Sequence, residues 1–117
     1  MAIEMATPRI TLRIIFDGST SSAQHDWSKI REAFAGLVDF DEPTIRAYWK
    51  MPATELTMNL YPLGDSDEAY DKVTSALGSG WEMETNDEFA RWSVWNRGVG
   101  ELLVPTISWA HVELIRR

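Results

Sequence analysis

Residues 9–17, Arg-Ile-Thr-Leu-Arg-Ile-Ile-Phe-Asp, alternate so strictly that Ile10, Leu12, Ile14 and Phe16 share one side of an extended chain while Arg9, Thr11 and Arg13 take the other. A half-buried strand of this kind needs a second layer against its apolar side, and the sequence supplies one at once. Asp17-Gly18-Ser19-Thr20-Ser21-Ser22 is turn chemistry, and Ser22 or Asp26 can cap a helix on which Trp27, Ile30, Phe34 and Leu37 recur at spacings of three, four and three. Strand and helix each have one apolar side, and each can cover the other.

The pattern then repeats. After the acidic break Asp39-Phe40-Asp41-Glu42-Pro43, Ile45, Ala47 and Trp49 alternate with Arg46, Tyr48 and Lys50 in a second strand that stops at Met51-Pro52. A third sets Leu56, Met58 and Leu60 against Glu55, Thr57 and Asn59, and Pro62-Leu63-Gly64 closes it. Asp65 and Glu68 have capping-box spacing, with Asp in place of the usual Ser or Thr, and open a helix bearing Ala69, Tyr70, Val73, Ala76 and Leu77 that Gly78-Ser79-Gly80 ends. The last third reads as strands at Trp81–Thr85, Phe89–Arg97, Glu101–Val104 and Thr106–Ile115, joined by turns at Asn86-Asp87 and Gly98-Val99-Gly100. In the final run Ser108, Ala110, Val112 and Leu114 alternate as a strand; Ile107, Ala110 and Leu114 also share a helical face, and the strand is the preferred reading.

These elements predict a single α+β domain over residues 1–117: a two-layer sandwich in which an antiparallel or mixed sheet carries two helices on one face, with a βαββαβ-like order plus a C-terminal hairpin. Cysteine is absent, which excludes disulfide frameworks, thiolate nucleophiles and cysteine-ligated metals together. The opening Met-Ala-Ile-Glu-Met-Ala-Thr-Pro has neither a basic n-region nor an apolar h-region, so a cytoplasmic chain without a cleaved leader or membrane span is expected. A net charge of −7 argues against nucleic-acid and anionic-membrane partners, whose affinity depends on clustered Lys and Arg.

Catalytic motifs are wanting. His25 and His111 each stand near a carboxylate, but no His-x-x-x-His or Glu-x-x-His spacing makes them converge on a metal. No Gly-x-Ser-x-Gly turn exposes a serine, and the Gly-x-Gly pairs at 78–80 and 98–100 lack the residues of a phosphate loop. Glu82, Glu84, Asp87 and Glu88 crowd one hairpin without the ligand spacing of a calcium loop. The expectation is a protein that is not an enzyme, with no catalytic, cofactor-binding or metal-binding residues and no cofactor.

Charge and aromatic placement say more. From Asp39 to Glu88 there are 12 acidic residues against Arg46, Lys50 and Lys72, so a negative field lies at one end if the second helix start and the 82–88 hairpin meet there. Trp92 and Trp95 differ by three, which in a strand sends them to opposite faces; one packs on the helices and the other lies on the open face.

The segments Trp81-Glu82-Met83-Glu84, Arg91-Trp92-Ser93-Val94-Trp95-Asn96 and Ser108-Trp109-Ala110-His111-Val112-Glu113, in an acidic, cysteine-free, Trp-rich α+β chain, resemble immunity proteins of bacterial polymorphic-toxin and contact-dependent growth inhibition systems. The resemblance implies tight binding of one cognate toxin domain, often a basic nuclease, with no cofactor. On the residues themselves, Asp65, Asp67, Asp71, Glu82, Glu84, Asp87 and Glu88 are the candidate electrostatic contacts, and Trp95 and Tyr48 the candidate anchors. Two other classes stand beside this: a homodimeric ligand-binding or regulatory α+β domain, marked by an apolar pocket with converging polar groups, and a small enzyme centred on the histidines and nearby carboxylates.

Overall fold

The computed structural model describes residues 8–50, 52–97 and 100–116. The elements are β1 (Arg9–Asp17), α1 (Thr20–Phe34), β2 (Val38–Phe40), β3 (Thr44–Ala47), β4 (Ala53–Pro62), α2 (Ser66–Leu77), β5 (Glu82–Asn86), β6 (Ala90–Asn96) and β7 (Ile107–Ile115). The chain is α+β, and one sheet holds all seven strands in the order β2-β4-β1-β7-β6-β5, with β3 also on β4. Every strand pairing is antiparallel, so the mixed alternative falls away.

β1 is central, and its alternation is realised as read. Ile14 sits opposite Leu56 on one side and Ala110 on the other, so three strands send apolar side chains the same way. Ile10, Leu12, Ile14 and Phe16 join Ala23, Trp27, Ile30 and Phe34 of α1 and Ala69, Tyr70, Val73 and Leu77 of α2 in one core cluster. Fully burying such side chains contributes roughly 1.5–3 kcal/mol each, which makes this side of the sheet the stabilising one.

The helix caps are local chemistry. Ser19, three residues before the expected Ser22 and seven before Asp26, caps α1 by accepting the Ser22 N–H at 3.2 Å. Asp26 instead lies buried inside the helix and accepts a hydrogen bond from the Thr106 hydroxyl at 2.5 Å. Asp65 caps α2 as expected, accepting the Glu68 N–H at 2.9 Å.

Four expectations need correction. The break at 39–43 is shorter than read, because Val38–Phe40 forms β2 against the end of β4. β3 ends at Ala47, leaving Tyr48 and Trp49 in the connection to β4. Residues 101–104 form no strand; Leu102 makes a single bridge to Gly78. That crossing is so tight that a Cβ on Gly78 would lie 2.1 Å from the Glu101 carbonyl oxygen, and one on Gly100 2.2 Å from that of Ser79, so the two backbones meet only because both positions are glycine. Lastly, the extra hairpin is inserted rather than C-terminal: β5 and β6 follow α2, and β7 is the strand beside β1. Of the expected 98–100 turn, residues 98 and 99 lie outside the described residues. Among the described residues no helix is long and apolar enough to cross a membrane.

A candidate protein-binding face

The side of the sheet away from the core cluster is built by the same parity. Arg13 lies opposite Thr57 on β4 and His111 on β7, and His111 lies opposite Val94 on β6, so these side chains share the second face with Ile15, Glu55, Trp92, Trp109 and Glu113. Both helices contribute to the core on the other face, and on this one Trp92, Trp109, His111 and Glu113 are half-buried.

The rings form a row. Trp109 and His111 are stacked, 6.0 Å between centroids and 8° between planes, and Trp92 stands 5.2 Å from His111 on the other side. The Arg13 guanidinium lies 5.4 Å over the Trp109 ring. Arg13 is fixed from below by Glu55, which it meets at 2.5 Å, while Arg46 reaches the same carboxylate at 3.2 Å. Glu55 is only 5% exposed. Burial opposes its ionisation more than any other single influence, but the hydrogen bonds and charges of Arg13 and Arg46 together outweigh it and hold its pKa below the ordinary carboxylate range. His111 is shifted down as well, chiefly by desolvation between the indoles, which outweighs the opposing Glu113 charge; the Arg13 charge adds a lesser push in the same downward direction.

Two clefts flank Arg13. The larger, about 550 Å³, is lined by Thr11, Asp41, Glu42, His111 and Glu113 beside Arg13. The smaller, about 340 Å³, is lined by Ile15, Tyr48, Asn96, Ser108 and Trp109 beside Arg13. The connection after β3 adds Trp49, which is 81% exposed, next to Tyr48 and under the Lys50 ammonium at 4.9 Å.

The residues named from sequence divide between two places. Arg116 donates to the Asp67 carboxylate at 2.7 Å and to the Asn86 side chain at 3.1 Å, which brings the start of α2 and the end of β5 together, the condition on which the negative field depended. The same arginine weakens the field there, as does Arg91, which meets Asp71 at 2.6 Å and Asp67 at 3.4 Å. Hydrogen bonding to Arg116 is the main reason the Asp67 pKa is lowered. Asp87 is lowered by the Ala90 and Phe89 N–H groups that its carboxylate accepts to shape the turn, and Asp65 is occupied as a cap. Glu82 and Glu88 are exposed and form no ion pair among the described residues; the Glu84 side chain lies outside them. Tyr48 is half-buried on the wall of the smaller cleft. Trp95 is not on the surface: it is 4% exposed in the core, with its indole N–H donated to the Ser79 carbonyl at 3.0 Å, so the surface tryptophan of β6 is Trp92.

Sequence reasoning names neither Arg13 nor Trp109 as a site residue and weighs His111 only as a metal ligand or the centre of a small enzyme, although the alternation of Ser108, Ala110, Val112 and Leu114 already sends Trp109, His111 and Glu113 to the other side. Among the described residues no group of three His, Asp or Glu side chains is placed to hold a metal ion. Comparison with protein-family models, curated proteins and solved structures gave no match.

Proposed function

We propose that this chain is a protein-binding inhibitor of the immunity type, which binds and neutralises a cognate, basic bacterial toxin domain in the cytoplasm and catalyses no reaction itself. The observation that carries the reading is the row Trp92, His111 and Trp109 on the second sheet face, with Arg13 over Trp109 and clefts on either side of Arg13. Half-buried tryptophan beside arginine is the composition of a binding hot spot, and exposed carboxylates around it favour encounter with a basic surface. Both helices feeding one core cluster supports a two-layer arrangement that leaves this face for a partner. The resemblance to immunity proteins supplies the class of partner.

The test is affinity capture by the tagged chain from its bacterial host, with washes at about 50 and then about 500 mM salt. The expected result is a basic protein in one-to-one ratio whose expression alone stops growth, whose toxicity co-expression of this chain relieves, and which Trp109→Ala fails to retain. A captured protein that is harmless on expression, or recovery of nothing but the chain itself, would overturn the reading; self-association alone would favour a homodimeric ligand-binding domain.

A further inference from the structure

We infer that the open face recognises a partner segment in extended conformation that carries a lysine or arginine and, about four residues along, a bulky apolar side chain. This rests on the reading of the chain as a protein-binding inhibitor and specifies what the docking segment must contain.

The two clefts differ in charge. In the larger one Asp41, Glu42 and Glu113 form no ion pair among the described residues, and the Asp41 carboxylate accepts only the neutral Asn59 amide at 3.3 Å and Tyr61 hydroxyl at 3.0 Å. Arg13, the cation on its wall, is already held by Glu55 at 2.5 Å. His111 is shifted toward its neutral form by desolvation and adds no compensating charge near neutral pH. A cationic side chain entering here meets three carboxylates that no ion pair among the described residues engages, although Arg31 shares a neighbouring cleft with Asp41 and Glu42, and it can lay its aliphatic stem along the imidazole. The α2 end of the molecule is the contrast, since Asp67 and Asp71 there are already paired with Arg91 and Arg116.

The smaller cleft takes the other kind of group. Ile15, Tyr48 and Trp109 give it apolar walls, and the Ser108 hydroxyl is turned away to donate to the Ile15 carbonyl at 3.1 Å. Thr11 in the first cleft and Ile15 in the second are outward-facing residues of the same strand, four positions apart, which at strand rise separates them by roughly 13 Å. An extended segment crossing the Arg13 and Trp109 ridge between them places side chains into both clefts when they are about four residues apart on one side of its backbone.

Panning a phage-displayed library of random dodecapeptides against the immobilised full-length chain tests this directly. The expected consensus is a basic residue with a large apolar residue about four positions away. Its best peptide, titrated by intrinsic tryptophan fluorescence, should bind about tenfold or more weakly to a Glu42→Gln/Glu113→Gln double variant whose thermal melt matches the wild type. The second panning target, that double variant, should lose the basic preference and keep the apolar one. No consensus, an acidic consensus, or an affinity indifferent to both glutamates would overturn the inference. A basic-apolar consensus without any toxin partner would retain this docking face and remove only the inhibitor reading; a captured toxin whose binding ignores Glu42, Glu113 and the consensus peptide would do the reverse.

Discussion

Trp92 and Trp95 belong to one short strand, yet Trp95 is packed among Ala110 and the other core side chains while Trp92 stands half-buried beside His111 on the opposite face. The same contrast runs across the whole sheet. On the covered side, even a polar pair such as the Tyr70 and Ser93 hydroxyls is enclosed and satisfied by each other. On the open side, aromatic rings stack on one another and on Arg13 without being enclosed. Residue type does not separate core from surface tryptophans here; the parity of a strand and the position of the helices do.

Substitutions break or sharpen that contrast in graded fashion. Trp95→Ala should cost about 3–5 kcal/mol, because it opens a cavity in a core side chain's place, whereas Trp109→Ala should cost less than half as much and abolish partner capture. Urea denaturation midpoints compare the two, and equal losses would mean that the open face is structural too. Tyr70→Phe should cost about 1–3 kcal/mol by leaving the buried Ser93 hydroxyl short of a partner, and Ser93→Ala in the same background should then add little further loss.

Two pH effects follow, each on the open face. The Glu55 pKa is lower folded than its ordinary 4.5, so its contribution is complete above that value and is lost as pH falls through the folded pKa. Denaturation midpoints should therefore fall less steeply below pH 4.5 in Glu55→Gln than in the wild type. His111 is also depressed, from 6.5, so protonation favours the unfolded chain and stability declines as pH drops below that value. His111→Gln should flatten the decline, and the wild type alone should change tryptophan emission across the same range as imidazolium forms between the indoles. The smallest effect belongs to Glu42→Gln, within about 0.5 kcal/mol of wild type, against a larger loss for Asp67→Asn, whose carboxylate holds Arg116 and Arg91. The reverse order would show that the cleft acids are engaged within the fold.

Much of the framework was legible where the pattern is local. The alternation of β1, the stripe of α1, the Asp65 cap and the strand character of 107–115 all depend on neighbours a few residues away. β2 was not, because three residues carry too little periodicity to separate Val38–Phe40 from a turn. Residues 101–104 have strand composition, but Gly78 and Gly100 let the backbones cross instead of running alongside a partner. Spacing fixed that Trp92 and Trp95 oppose each other without saying which faces the helices; the pairing of Trp95 with Ala110 decides it. The acidic balance of residues 39–88 overstated the field at α2 because Arg91 and Arg116 arrive from distant strands. Glu55 reads as a solvated outward residue and is buried because Arg13 and Arg46 close over it.

The placement of β7 between β1 and β6 has a temporal meaning. β6 and β5 have no place in the sheet until β7 is present, and β7 pairs with the strand that begins the fold, closing nearly the full length of the chain between Arg13 and His111. Such long-range closure is slow and comes late. The ridge of Arg13, Trp109 and His111 is assembled by that very pairing, so a copy in which β7 has not yet joined β1 presents none of it, and the recognition proposed for this face is reserved for chains that have completed that step.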